Sequence, residues 1–197
     1  MTIEGNFTTG ARADAIEVIT TDHREVEQLF TQLLAADDPK DTELRRDLGE
    51  RILRALSVHA AAEEHVLYPA VRRYVDDGDD IADHSLQEHQ ELKEQLAALD
   101  GMSPDDAEFL PGFERARETV AHHVHEEESS VLPKLRDSLR GEDIYDLGDA
   151  LAKAKAAAPT HPHPHAPSTP PGNVVAGVVA GAVDKVRDVA RDVMKKD

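Results

Sequence analysis

Apolar residues return every three or four positions along most of the chain. From about Ala11 to Ala36, Ile16, Ile19, Val26, Phe30 and Leu33 share one helical face. The polar run ADDPKD ends that pattern. A second helix is predicted over about Thr42 to Val75, with Leu48, Ile52, Leu56, Val66 and Ala70 in one stripe. Pro69 is expected to bend it, because proline removes a helical hydrogen bond. After the turn DDGDD, a third helix covers about Ile81 to Leu99. In GMSPDD, Ser103 is placed to cap the fourth helix and Pro104 to occupy its first position. That helix runs to about Leu139, with Pro111-Gly112 delaying its start. Four helices with short connections predict an all-α, up-down-up-down four-helix bundle. A short helix at about Glu142 to Ala157 follows.

Polar residues interrupt these stripes in a repeating way. HAAAEEHVLYP, from His59, and HVHEEESSVLP, from His123, both read His-x-x-x-Glu-Glu-x-x-x-x-Pro. Residues four apart share a helical face, so His59 pairs with Glu63 and His123 with Glu127. Ile52, His59 and Val66 lie in series at sevens, as do Leu56, Glu63 and Ala70, and Phe113, Val120 and Glu127. The first and third helices add one histidine each: Ile16, His23 and Phe30 form one series, and Ala82, His89 and Leu96 another. DHREVEQL and EHQELKEQL surround them. The bundle therefore reads as a duplicated helical hairpin. Inward-facing imidazoles and carboxylates are destabilising unless paired or metal-bound. Six of them in duplicated register point to a binuclear metal site, with carboxylates bridging and histidines capping. Imidazole and carboxylate without thiolate suit iron, manganese or zinc. The ferritin-like template places glutamate first, in Glu-x-x-His, and does not match.

Composition narrows the partners. The 197 residues carry a formal net charge of −18, so a phosphate backbone is repelled and nucleic acid is not an expected partner. The absence of cysteine excludes disulfides, thiolate metal sites and thiol catalysis. The N-terminus lacks an apolar signal core, and the longest apolar run, Val174 to Val183, is far short of the roughly 20 residues of a spanning helix. A cytoplasmic protein is expected. Residues 1–10 are expected to be disordered, 11–158 to form the bundle, and 159–172 to form a Pro-rich spacer containing HPHPH. Residues 173–197 are expected to form an amphipathic helix. There Val175, Val179, Ala182, Val186, Val189 and Val193 make an a/d seam, suited to self-association or to a protein partner.

The pattern His23, His59-x-x-x-Glu63, His89, His123-x-x-x-Glu127, with its flanking DH, EE…LYP and EH motifs, resembles the hemerythrin-like, or HHE cation-binding, domain over about Ala15 to Leu139. The resemblance implies two non-haem iron ions, oxo-bridged, in preference to manganese or zinc. It also implies binding of dioxygen, nitric oxide or hydrogen peroxide at an open iron position. Oxygen-carrying members have a fifth histidine one turn before the third-helix ligand. Ser85 stands there in this chain, and His84 falls off the ligand face. A more open iron favours peroxide chemistry, a catalase-like activity, over simple oxygen carriage. The alternative is a metal- or oxygen-responsive regulatory protein acting through the tail helix. His122 and Glu126 offer a competing register one residue away. Alignment on Pro69 and Pro133 selects His123 and Glu127. His65, His125, Glu64 and Glu128 are expected to flank the site, and Tyr68, one turn beyond Glu64, is read as a packing residue in preference to a contact with the site.

Overall fold

The computed structural model describes residues 12–36 and 38–166. The expectations for 1–10 and 173–197 lie outside the described residues, as does the distal part of the spacer. The described residues are helical throughout their regular structure and contain no strand: α1 Ala15–Ala35, α2 Thr42–Ala62, α3 Tyr68–Tyr74, α4 Gly78–Leu99, α5 Phe109–Glu126, α6 Leu132–Ser138 and α7 Asp143–Ala157. Helix α1 packs on α2 and α5, α4 packs on α3 and α5, and α7 lies across α1 and α2.

Local chemistry sets the boundaries. Asp14 opens α1 with a capping box. Its carboxylate accepts from the Glu17 backbone at 2.8 Å, and Glu17 accepts from the Asp14 backbone at 3.4 Å. Such a cap contributes about 1 kcal/mol. Helix α4 starts at Gly78, inside the DDGDD run, rather than at Ile81. A Cβ at Gly78 would lie 2.1 Å from the Val71 carbonyl, so only glycine allows α3 and α4 to meet so closely. Ser103-Pro104 does not start a helix. Asp106 donates back to the Ser103 carbonyl at 3.0 Å, which closes a turn, and α5 begins at Phe109.

Pro69 is accommodated by a widened turn. The Tyr68 N–H donates to the Glu63 carbonyl five residues back, making Glu63–Leu67 a π-helical segment. Pro133 is treated identically: Leu132 donates to Glu127 across Glu127–Val131. The ring of a helical proline would otherwise press on the carbonyl four residues earlier. One extra residue in the turn rotates everything beyond it by about 100°. Leu67 and Val71 therefore enter the core, and Val66, which the seven-residue spacing put there, is only half-buried.

The apolar interior falls into two clusters. One is built from residues such as Phe30, Ile52, Leu96 and Phe113, and the other from Ile19, Leu67, Val71 and Leu135. Between them lies a layer of buried histidine and carboxylate side chains. Helix α7 covers one flank of this layer. Its Gly148 sits so close to the chain before α1 that a Cβ would meet the Ala13 carbonyl at 2.3 Å. Arg12 adds ion pairs to Glu142, Asp146 and Asp149 at 3.2, 2.6 and 2.7 Å.

Candidate metal centre

Both glutamates singled out by the repeat stand at the first residue of a π-helical segment, where the backbone widens to pass a proline. The structure brings all six predicted site residues together and buries every one. They form two groups: His23, His59, Glu63 and Glu127, and Glu63, His89 and His123. Glu63 belongs to both. Its Oε1 lies 3.0 Å from His59 Nε2, and its Oε2 lies 3.3 Å from His89 Nε2. His23 Nε2 lies 3.3 Å from Glu127 Oε2, and the Nε2 atoms of His89 and His123 face each other at 3.3 Å.

These groups fit a cation. The two carboxylate oxygens of Glu63, the two of Glu127 and the Nε2 of His23 are buried and make no well-formed hydrogen bond. Burial of that kind is strongly unfavourable unless something else satisfies the atoms. Donor atoms held about 2.0–2.2 Å from one ion stand roughly 3 Å apart, which is the spacing found here. Two facing imidazole nitrogens repel each other through their lone pairs unless a proton or a metal lies between them.

Each imidazole is held from behind by a carboxylate on a neighbouring element. Nδ1 of His23 donates to Glu128 at 2.9 Å, His59 to Asp22 at 3.2 Å, His89 to Glu64 at 3.1 Å and His123 to Glu88 at 2.9 Å. An ionised carboxylate can only accept, so Nδ1 carries the proton and Nε2 is turned inward. The four carboxylates follow one rule: each adjoins, in sequence, a residue of the inner layer. Asp22 precedes His23, Glu64 follows Glu63, Glu88 precedes His89, and Glu128 follows Glu127. Sequence reasoning found Glu64 and Glu128 as flanking groups but missed Asp22 and Glu88. The signal was present in the DH and EH dipeptides. Lys155 is paired with Asp22, and Lys93 lies 2.7 Å from Glu64.

The charges are strongly coupled. Burial alone pushes His59 down, but the adjacent Glu63 charge and the hydrogen bond to Asp22 outweigh it, raising His59 to about 10. His89 is lowered by burial and raised more by Glu63 and Glu64, to about 9. Glu63 is pushed up by burial, yet His59 and His89 hold it well below the usual carboxylate range. Imidazoles and carboxylates bind a metal in their deprotonated form, so uptake at these groups is linked to pH.

Tyr68 does more than pack. Its ring is buried, and its hydroxyl reaches His89 Nε2 at 3.0 Å, on the inward-facing side of that imidazole. Burial first, then the charges of Glu63, Glu127 and Glu64, keep the phenol protonated well above its ordinary range. Ser85 is buried and borders an open cavity of about 500 Å³, also lined by His123 and Glu127. The competing register falls outside the layer: His122 is two-thirds exposed and points to Glu88 and Glu126.

Residues 14–135 match the hemerythrin HHE cation binding domain. A hemerythrin-like protein of Schizosaccharomyces pombe is 32% identical over 162 residues, covering 82% of this chain and 78% of that protein. A protein of Nostoc sp. named as a DNA nickase is 33% identical over 140 residues, covering 71% of this chain but only 38% of its own length. The fold matches the crystal structure of a hemerythrin HHE cation binding domain-containing protein from Mycobacterium kansasii, at 20% identity and a TM-score of 0.62, covering 73% of this chain and 86% of that one. With the family domain spanning more than half its length and a relative of this identity, the chain belongs to the hemerythrin HHE cation-binding family.

Proposed function

We propose that this chain holds two iron ions in the buried layer and through them binds or turns over a small oxygen or nitrogen ligand. Hydrogen peroxide is favoured over dioxygen and nitric oxide. The observation that carries this reading is Glu63, a fully buried carboxylate whose two oxygens face different groups of histidines. His23, His59 and Glu127 would complete one ion's ligands, and His89 and His123 the other's, with Glu63 spanning both. When bound, such a pair supplies Lewis-acid and redox chemistry to the ligand.

The chain's own groups do the rest. The four outer carboxylates fix each ring with Nε2 inward, so little reorganisation is needed on loading. The cavity at Ser85 gives a small ligand a way to the His123 and Glu127 side of the layer. The Tyr68 hydroxyl supplies a proton donor beside His89. Among the described residues no helix is long and apolar enough to cross a membrane.

The test is metal analysis followed by peroxide assay of the iron-loaded and zinc-loaded protein. Two irons per chain, near-ultraviolet absorption of a bridged ferric pair, and peroxide loss only in the iron form are expected. Fewer than two ions after reconstitution would overturn the binuclear reading. A stable, reversible oxygen adduct with no peroxide loss would overturn the preference for peroxide.

A further inference from the structure

On the outside of the bundle the His-x-x-x-Glu spacing returns in two facing pairs. His84 and Glu88 stand one turn apart on α4, and His122 and Glu126 one turn apart on α5. The two pairs face each other. His84 Nε2 lies 3.1 Å from Glu126 Oε2 and 3.8 Å from Glu88 Oε1. His122 Nε2 lies 3.5 Å from Glu126 Oε1 and 3.7 Å from Glu88 Oε1. Donor atoms of His84, Glu88 and Glu126 thus come together from two helices, within 4.8 Å of one another, and His122 stands beside both carboxylates.

We propose that His84, Glu88 and Glu126, with the exposed His122 turning in as the fourth ligand, form a second, surface metal site that takes one divalent transition ion of the zinc or ferrous type. Donors at about 2.0–2.1 Å from a tetrahedral ion stand roughly 3.3–3.4 Å apart, close to the separations seen. A set of two imidazoles and two carboxylates suits a borderline ion better than calcium or magnesium, which prefer oxygen alone. Among the described residues, the ion pairs of Glu88 and Glu126 are all with histidines. A lysine or arginine would satisfy a surface carboxylate without geometric demands. Histidine is the choice that also binds metal.

The position gives the site a role. His84, Glu88 and Glu126 line the same cavity that Ser85, His123 and Glu127 line deeper in. Glu88 belongs to both sites: Oε1 faces the outer histidines, and Oε2 accepts from His123 Nδ1 at 2.9 Å. An ion held at the cavity mouth therefore shares Glu88 with the His123 imidazole of the inner layer. The outer site captures a divalent ion where the cavity opens and is linked to the inner layer through a single side chain.

The experiment is zinc titration of the metal-loaded protein, followed by calorimetry and metal analysis, in three forms. The unaltered chain takes up one zinc ion beyond its inner complement. His84→Ala/His122→Ala loses that ion while keeping its inner metal content and its near-ultraviolet spectrum. Both residues are exposed, so the fold is not at stake. Glu63→Ala, which disrupts the inner layer, still takes up the surface ion. That form separates the two readings, because an empty inner layer leaves the outer prediction standing. His163→Ala/His165→Ala serves as the control for binding by HPHPH and retains the extra ion. An unaltered chain with no further zinc, or an equal uptake by His84→Ala/His122→Ala, overturns the proposal.

Discussion

The two halves of the duplication present the same motif but opposite flanks. One turn before His23 stands Ile19, fully buried. One turn before His89 stands Ser85, which leaves a cavity. After His59 come Ala60, Ala61 and Ala62, all buried, and α7 lies against the π-helical segment that follows. After His123 come Val124, His125 and Glu126, and beyond Glu127 come the exposed Ser129 and Ser130. The outer carboxylates follow the same division. Asp22 and Glu64 in the first half are buried and paired with Lys155 and Lys93, whereas Glu88 and Glu128 in the second half stand closer to solvent. The repeated residues supply the donors. The residues that differ decide which side is sealed and which side opens to a cavity.

The largest effect should come from the one residue shared by both donor groups. Glu63→Ala removes a donor from each, whereas Glu127→Ala removes one from the first group only. In a His84→Ala/His122→Ala background, which removes the surface site, we expect iron to fall from two ions per chain to none for Glu63→Ala and to one for Glu127→Ala, read by elemental analysis after reconstitution. Equal losses in the two variants would show that the halves share their carboxylates evenly.

Exchanging the flanking residues tests the access argument. Ser85→Ile should fill the inner end of the cavity as Ile19 fills its counterpart, with metal content unchanged. The rate of nitric oxide or peroxide binding, followed by stopped-flow absorbance, should drop at least about tenfold, equivalent to about 1.4 kcal/mol. The reverse change, Ile19→Ser, deletes a buried branched side chain and should cost about 2–4 kcal/mol of unfolding free energy. An unchanged rate in Ser85→Ile would mean that the ligand travels by another route.

How much of this was legible in the sequence can be judged residue by residue. The helical spacing of Ile19, Phe30, Ile52 and Leu56 gave the helices, and the duplicated His-x-x-x-Glu gave the inner layer, because both depend on period alone. The π-helical segments were not legible. Pro69 announces a disturbance, but whether the helix bends or widens depends on the packing beyond it, and Val66 and Leu67 exchange roles as a result. Ser103-Pro104 carries a strong local start signal that the structure uses for a turn instead, since the burial of Phe109 and Phe113 sets where α5 begins. The pairing of Asp22 with His59 and of Glu88 with His123 joins different helices. It becomes visible only when their relative rotation is known.

The seal over the first half can be loosened without touching a donor. A Cβ on Gly148 would collide with backbone, the Ala13 carbonyl, so α7 must shift. Gly148→Ala should cost about 1–3 kcal/mol in denaturant unfolding. It should also raise hydrogen exchange at Glu63–Leu67, on which α7 rests, but not at Glu127–Val131. Equal changes at both segments would mean that α7 stabilises the bundle as a whole rather than one flank.

The smallest expected effect separates two roles of a single side chain. Tyr68 and Leu132 occupy matching positions, each just before the proline of its half, and both are buried. Only Tyr68 carries a hydroxyl, and it reaches the inward-facing nitrogen of His89 at 3.0 Å. Tyr68→Phe keeps the ring and its packing, so unfolding free energy should change by no more than about 1.5 kcal/mol, the range of one hydrogen bond. Metal content should stay at two ions per chain. If the hydroxyl only fills space, spectra and ligand retention will match those of the unaltered chain. If it donates a proton beside the second group of histidines, the iron-loaded variant should release peroxide or nitric oxide several-fold faster, with an altered near-ultraviolet band. Tyr68→Leu, which copies the other half, should show the same spectral change together with an added stability loss from the cavity it leaves.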